Sequence, residues 1–163
     1  MRLNYSKTIL GDKNHVLLYT DGAAKGNPGP GGYGVVLKFG KHRKELNQGF
    51  IETTNNRMEL LAVIIGLEAL TTVDYPINIY SDSKYVVDAI NKGWLLSWQK
   101  TAFKKKKNVD LWKRFIPLQK KFDLRFYWVK GHAGHPENER CDELAVEAAE
   151  SSNLLVDEGY QAG

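Results

Sequence analysis

A short apolar segment that ends at an acid and runs into a glycine- and proline-rich stretch constrains the fold most strongly. Val16–Tyr19 consists of residues that favour β-structure, and Asp21 stands where this apolar run stops. The stretch that follows is incompatible with a helix because it contains Gly26, Pro28, Gly29, Pro30, Gly31 and Gly32. We therefore predict a tight turn into a second strand, Tyr33–Phe39, and thus a hairpin rather than the strand-to-helix turn of a phosphate-binding loop.

The remaining periodicity predicts an α/β fold with a mixed five-stranded sheet flanked by helices. The strand that ends at Asp82 follows a helix, so it can lie parallel to the strand that ends at Asp21. Pro117 is expected to kink its helix or to end it early. Extended patterns predict the other strands at Glu45–Ile51, Ile77–Tyr80 and Leu124–Val129. Helical spacing predicts a helix of about four turns from Met58, and further helices at Ser83–Asn91, Asp110–Lys121 and Glu137–Glu150.

Length and composition favour a single domain over residues 1–163. The chain has 163 residues, of which 42% are hydrophobic and 26% charged. Residues 1–14 form an N-terminal extension without the apolar run of a signal peptide or a membrane span, so no membrane partner is expected. Residues 151–163 form a polar tail that we expect to be loose. The single Cys141 cannot form an internal disulfide, which favours a reducing, cytoplasmic location.

Positive charge is concentrated in residues 92–109. The whole chain carries a net charge of +4, yet this stretch has six lysines and no acid, which leaves −2 for the remainder. The lysines alternate with Trp94, Trp98 and Phe103, a mixture that suits a polyanion with stackable surfaces, although lysine runs often form an ordinary solvated face. The stretch therefore favours nucleic acid as a partner. Its lysines are Lys92, Lys100, Lys104, Lys105, Lys106 and Lys107.

Three further acids fall where the predicted fold would bring them towards Asp21. Glu59 lies early in the long helix, Asp82 follows a strand, and Asp142 lies beside the apolar stripe of the last helix. Each has a structural alternative: a turn residue for Asp21, a capping box with Asn56 for Glu59, a helix N-cap for Asp82, and a solvated acid for Asp142. Convergence at one sheet edge would make the acids repel one another unless cations neutralised them. Oxygen ligands favour Mg²⁺ or Mn²⁺, and two such ions suit phosphodiester cleavage.

The histidines allow two interpretations. Gly131 and Gly134 flank His132, so a mobile imidazole could move a proton beside a metal-bound phosphate, or His132 could be an ordinary loop residue. A zinc site built from His132, His135 and Cys141 is disfavoured, because the spacing matches no four-ligand pattern and the chain has one cysteine.

Five segments of the chain form distinctive motifs, namely Tyr19–Gly22, Gly26–Gly34, Thr54–Leu60, Ser81–Ser83 and Val129–Asp142. Together they resemble bacterial type 1 ribonuclease H over nearly the whole chain. The resemblance implies a ribonuclease H-like fold and an endonuclease that hydrolyses the RNA strand of RNA–DNA hybrids, leaving 5′-phosphate and 3′-hydroxyl ends. Primer removal and R-loop clearance are the cellular roles it implies, and a monomer is expected.

The same resemblance implies roles for individual residues. Two Mg²⁺ ions, with Mn²⁺ as a possible substitute, would be held by Asp21, Glu59, Asp82 and Asp142, and His132 would assist in the loop. RNA 2′-hydroxyls would be recognised by Asn27, Asn55 and Asn56, while Thr54 would help to seat a DNA phosphate. Residues 92–109 correspond to the family's basic protrusion, which holds the DNA strand. The remaining expected substrate contacts are Lys84, Trp94, Lys100, Lys104, Lys105, Lys106 and Lys107.

Some positions depart from the family pattern, and two alternative functions stay open. Glu52 stands where related bacterial enzymes often carry Arg, Lys84 where Gln is common, and Ala24 where some have Cys. A transposase- or integrase-like catalytic core would share the sheet and the acids, but the asparagine cluster favours RNA recognition. A non-catalytic hybrid-binding module would use the basic protrusion alone.

Overall fold

A computed structural model describes residues 3–5, 15–131 and 134–161. Its strands are β1 Leu3–Tyr5, β2 Val16–Ala24, β3 Gly29–Phe39, β4 His42–Thr53, β5 Leu70–Val73, β6 Ile77–Ser81, β7 Leu124–Trp128 and β8 Leu154–Leu155. Its helices are α1 Asn55–Glu68, α2 Lys84–Asn91, α3 Trp94–Lys100, α4 Val109–Lys121 and α5 Pro136–Glu150.

The main sheet is mixed and has six strands in the described part of the chain, in the order β7-β6-β2-β3-β4-β8. Strands β2, β3 and β4 are antiparallel neighbours, whereas β6 lies parallel to β2 and β7 parallel to β6. The predicted mixed α/β architecture is thus confirmed, and the predicted parallel crossover with it. The count of five strands was wrong, because β8 has only two residues and is too short to leave a periodic pattern.

Two glycines of β3 allow a helix to lie close against the sheet. A Cβ at Gly32 would lie 2.7 Å from the carbonyl oxygen of Ala145 in α5, and one at Gly34 would collide with the carbonyl oxygen of Cys141. The prediction that the second strand begins at Tyr33 was therefore wrong, since β3 begins at Gly29. The glycines are needed for close packing within a strand and not for a turn.

Helices cover both faces of the sheet. Leu18 and Val35 point towards α1 and belong to the large core, whereas Val36 points the other way and packs with Cys141 and Leu144 of α5. Helix α1 is buried almost all round because α4 packs on its outer side. Pro117 does not end α4, which continues to Lys121.

Both ends of the described chain pair with other strands. Strand β1 lies parallel to β5 in a separate two-stranded sheet. Near the C-terminus, β8 pairs with β4, and the Asp157 carboxylate accepts hydrogen bonds from Thr53 Oγ1 at 2.7 Å and from Arg57 Nε at 2.8 Å. The prediction of a loose tail was wrong for these residues. Over the ranges that the structure describes, no helix has both the length and the apolar character required to span a bilayer.

Candidate active site

The sheet brings two of the predicted acids to one edge. Asp21 lies in β2, and Asp82 follows directly after β6, the parallel neighbour of β2. Glu59 approaches from α1, so that one carboxylate oxygen from each of these three residues lies within 4.8 Å of the others. Asp142 lines the same cleft from α5 but is not part of this tight group.

Because Gly22 has no side chain, α1 can lie close enough to β2 for Glu59 to reach the site. A Cβ at Gly22 would collide with the backbone nitrogen of Glu59, so only glycine at this position allows α1 to start against β2. Thr54 is the N-cap of α1, and its hydroxyl oxygen accepts a hydrogen bond from the Arg57 backbone nitrogen at 3.3 Å. The capping-box interpretation with Asn56 was therefore wrong, because Glu59 lies too far along the helix to serve as the third residue of the box.

Asp82 is likewise not used as a cap. Ser83 is the N-cap of α2, with its hydroxyl accepting from the Val86 backbone nitrogen at 3.3 Å. The Ser81 hydroxyl in turn accepts from the Ser83 backbone nitrogen at 3.0 Å. The N-cap alternative for Asp82 was wrong, and its carboxylate lines the cleft together with Asp21 and Asp142.

Burial, together with repulsion from neighbouring carboxylates, makes Asp21 and Glu59 reluctant to ionise. Burial raises the pKa of Asp21 to about 7, and the charge of Asp82 adds to the effect. Burial also raises the pKa of Glu59 well above its usual range, again with a contribution from the charge of Asp21. One Glu59 carboxylate oxygen, Oε1, is buried and has no hydrogen-bond partner among the described residues. An all-oxygen group with an unsatisfied buried oxygen is the donor set that a hard divalent cation requires.

Helix α5 contributes two further groups to the cleft. Asn138 donates a hydrogen bond from Nδ2 to the Tyr80 carbonyl oxygen at 3.1 Å, which ties the start of α5 to the end of β6. Asn138 lines the cleft together with His135, Glu139 and Asp142. Sequence reasoning missed Asn138, although it lies in the segment quoted for the resemblance. The predicted loop histidine, His132, lies outside the described residues.

Two of the asparagines predicted to recognise RNA, Asn55 and Asn56, begin α1, and the third, Asn27, lies against Asn55 in the turn between β2 and β3. The Asn27 side-chain oxygen accepts a hydrogen bond from the Asn55 backbone nitrogen at 3.1 Å, so these two positions are brought together. Asn55 lines the cleft with Asp21 and Glu59, and Asn56 is exposed next to it. Thr54 is half-buried because its oxygen serves as the helix cap.

The basic protrusion, residues 92–109, consists of α3 and the turns that follow it. Aromatic contacts anchor its base: the Trp98 ring meets Trp112 edge-on, with centroids 5.6 Å apart, and stacks on Tyr85, with centroids 6.5 Å apart. Trp94 is exposed and packs beside Trp98, with ring centroids 6.5 Å apart. The lysines predicted to contact substrate are exposed, namely Lys100, Lys104, Lys105, Lys106 and Lys107, and so is Lys84 at the start of α2.

Arg57 is a second residue that sequence reasoning missed. It is only 2% exposed, yet its guanidinium forms ion pairs with Asp110 of α4 at 2.8 Å and with Asp157 of the tail at 2.8 Å. It thereby joins the start of α1, the segment after the protrusion, and the C-terminal tail. Its signal in the sequence is a basic residue directly before the apolar run of α1.

The comparison with known families decides which class of protein has this arrangement. The model of the RNase H family matches residues 13–150. The chain belongs to the ribonuclease H family. A curated ribonuclease H from Desulforamulus reducens is 56% identical over 147 residues, which cover 87% of this chain and 92% of that enzyme.

Solved ribonuclease H structures agree with the fold. LC9-RNase H1, a type 1 RNase H with the type 2 active-site motif, has a TM-score of 0.75 and 31% identity, covering 90% of this chain and 79% of that one. LC11-RNase H1, solved in complex with an RNA/DNA hybrid, has a TM-score of 0.60 and 30% identity, covering 82% and 96% of the two chains.

Family membership confirms the predicted ribonuclease H-like fold and identifies the chain as an enzyme. Ribonucleases H are metal-dependent, and the group of Asp21, Glu59 and Asp82 provides the acidic oxygens that such a dependence requires. The cleft around these three carboxylates is therefore the candidate active site.

Proposed function

We propose that the protein is an endonuclease that hydrolyses the RNA strand of RNA–DNA hybrids. The observation that carries the proposal is a group of three carboxylates with oxygens within 4.8 Å of one another, one from β2, one directly after its parallel neighbour β6 and one from α1. The hybrid-bound relative LC11-RNase H1 supports the choice of substrate. Water would add to the phosphorus and the bond to the 3′ oxygen would break, which leaves a 5′-phosphate and a 3′-hydroxyl.

Asp21, Glu59, Asp82 and Asp142 would hold two Mg²⁺ ions, and Mn²⁺ could substitute. Bound ions of this kind activate water and stabilise the leaving oxygen in phosphodiester cleavage. The unsatisfied Oε1 of Glu59 supports its assignment as a ligand, because a buried carboxylate oxygen without a partner is costly unless a cation or water satisfies it.

The rest of the cleft would bind and discriminate the two strands. Asn27, Asn55 and Asn56 would contact the 2′-hydroxyls that distinguish RNA from DNA. The position of Asn55, which lines the cleft with Glu59 and whose backbone nitrogen donates to Asn27, supports this role. Thr54 would seat a DNA phosphate through its backbone or through its hydroxyl hydrogen, because the hydroxyl oxygen already caps α1. His132 would accept or deliver a proton near the departing product.

The protrusion would hold the DNA strand. Its exposed lysines, Lys100, Lys104, Lys105, Lys106 and Lys107, would contact phosphates, and Trp94 would pack against the sugar–base surface. Lys84, the first residue of α2 and two positions after Asp82, would contact the RNA strand. Work as a monomer in the cytoplasm on replication primers and R-loops is consistent with this substrate.

Cleavage of end-labelled substrates tests the proposal. Under Mg²⁺, the parent is expected to cut RNA internally in an RNA–DNA hybrid, and to leave DNA duplexes and RNA duplexes intact. Asp21→Asn is expected to lose at least about 100-fold in rate, because it removes one carboxylate of the group. Asp123→Asn is a matched control, since Asp123 is exposed at the start of β7 and thus at the other end of the sheet.

Two outcomes would overturn the assignment. If the parent bound hybrids but did not cut them under Mg²⁺ or Mn²⁺, the protein would be a binding module. If it cut DNA duplexes as readily as hybrids, a transposase- or integrase-like core would replace the ribonuclease.

A further inference from the structure

Trp128, the last residue of β7, lies beside the candidate active site and was assigned no role from the sequence. Its ring is 45% exposed, although the residue is paired in the sheet with Ser81 at the end of β6. Ser81 directly precedes Asp82, so the side chain of Trp128 stands next to the segment that carries one of the acids. Its exposure means that hydrophobic burial alone does not account for a tryptophan at this position.

The polar edge of the indole contacts Asp82. The indole nitrogen, Nε1, donates a hydrogen bond to the Asp82 backbone carbonyl oxygen at 3.1 Å. This carbonyl follows the last residue of β6 and precedes the N-cap of α2, so neither the strand nor the helix supplies it with a regular donor. The Val129 backbone nitrogen donates to the Ser81 carbonyl oxygen at 2.9 Å, which fixes the neighbouring peptide in the same way. Together these bonds set the direction in which the Asp82 side chain leaves the backbone.

The face of the indole contacts Lys84. The Lys84 ammonium lies 4.7 Å from the centre of the Trp128 ring, within the range of a cation–π interaction. Lys84 is exposed and is the first residue of α2, two positions after Asp82. A free lysine would sample many rotamers in water, so the ring restricts a cation to the rim of the acidic cleft.

We infer that Trp128 is a positioning residue, whose indole nitrogen orients Asp82 and whose ring holds the Lys84 ammonium for a phosphate of the RNA strand. The inference rests on the proposed function, because it takes Asp82 to be a metal ligand and Lys84 to be a substrate contact. The two contacts belong to different parts of the same ring and are therefore separable by substitution.

Two substitutions separate the contacts. Trp128→Phe keeps an aromatic face for Lys84 but removes the indole nitrogen, and Trp128→Leu removes both. We expect Trp128→Phe to lower kcat about fivefold and to weaken Mn²⁺ binding measured by calorimetry, with little change in KM, as suits the loss of one hydrogen bond. Trp128→Leu is expected to show the same fall in kcat and, in addition, a rise in KM of about two- to fivefold.

Lys84→Gln provides the coupling test. It is expected to raise KM by the same factor as Trp128→Leu and to leave kcat and Mn²⁺ binding unchanged. In the Lys84→Gln background, Trp128→Phe and Trp128→Leu are expected to give equal KM values, because the ammonium that only an aromatic ring can hold is absent. Tyr127→Phe is the matched control for changes at the end of β7, since it keeps the stacking of this ring on Tyr80 at 5.3 Å.

The outcomes that would overturn the inference are specific to each contact. If Trp128→Phe kept the kcat and the Mn²⁺ binding of the parent, the indole nitrogen would not orient Asp82. If Trp128→Phe and Trp128→Leu still differed in KM in the Lys84→Gln background, the cation–π contact would not be the cause of the KM effect. Absence of hybrid cleavage by the parent would overturn the proposed function instead, and the Mn²⁺ titrations of parent, Trp128→Phe and Tyr127→Phe would still decide the effect on Asp82.

Discussion

Two charged residues of α1, only two positions apart, illustrate opposite ways to bury a charge. Arg57 is buried between Asp110 and Asp157, so its charge is balanced within the protein. Burial raises the pKa of Glu59, and the charges of its neighbours Asp21 and Asp82 raise it further. A buried charge without an internal partner is costly. The imbalance at Glu59 is therefore the reason to expect a cation from outside the chain.

Asp21→Asn is expected to stabilise the metal-free protein by on the order of 2 kcal/mol above pH 7. The folded pKa of Asp21, about 7, exceeds its ordinary value of 3.8, so folding favours the protonated form. The stability linked to that proton is fully present below about pH 4 and is lost as the pH rises through 7. Asn cannot ionise, so the variant does not lose stability from this source over this pH range.

Thermal melting of parent and variant in EDTA at several pH values measures this effect. The difference in Tm is expected to widen from pH 4 to pH 8 and to shrink when Mg²⁺ is added to the parent. A difference that stayed constant over this pH range would contradict the assignment of the penalty to the Asp21 carboxylate.

The sequence allowed the convergence of Asp21 and Asp82 to be predicted, whereas the cap of α1 was misassigned. Asp21 lies in β2 and Asp82 follows β6, and the preferred hand of the crossover through α1 that brings β6 beside β2 leaves little choice of arrangement. Four consecutive residues around the start of α1 are good caps, namely Thr53, Thr54, Asn55 and Asn56. Local propensity cannot choose among them, and the contact of α1 with Gly22 of β2 decides the start.

At the scale of secondary-structure elements, the C-terminal tail completes the fold by very few contacts. Strand β8 extends the sheet by two residues, and Asp157 beyond it joins Arg57 and Thr53. A two-residue strand and a single ion pair have no periodicity, which explains why the sequence suggested a loose tail. The tail nevertheless holds the helix that carries Glu59, since Arg57 lies in the first turn of α1.

Asp157→Asn is expected to lower the free energy of unfolding by about 2 kcal/mol, because it weakens a buried ion pair while Asp110 still compensates Arg57. Urea unfolding monitored by circular dichroism measures the change. Glu158→Gln serves as the control, since this neighbouring side chain is exposed. Equal losses in the two variants would show that the tail contributes through its charge in general and not through the contact with Arg57.

At the scale of the whole molecule, the charges are segregated. Acids line the cleft, whereas lysines cover the protrusion. Aromatic contacts with Trp112 and Tyr85 attach the protrusion to the core. The lysine run and its tryptophans were visible in the sequence. Their attachment was not, because it depends on rings from α2 and α4 that meet only in the folded chain.

Hybrid binding is expected to depend on salt through the protrusion. Replacing Lys104, Lys105 and Lys107 by Gln is expected to reduce the slope of log K against log salt by about 2 to 3. Binding measured in Ca²⁺, across a range of salt concentrations, gives this slope. The same change of charge at Lys41, Lys113 and Lys120, which are exposed elsewhere, is expected to leave it nearly unaltered. Equal slopes for both triple variants would mean that net charge, and not the protrusion, controls binding.

The close contact at Gly34 sets the spacing of the active-site cleft. Gly34 is paired with Asp21 in the sheet, and the Cys141 carbonyl that it faces belongs to the residue just before Asp142. A single methyl group at this position would act as a wedge that pushes Asp142 away from Asp21. Gly34→Ala is thus expected to change the spacing between the two acids by adding atoms behind them, without exchanging either carboxylate.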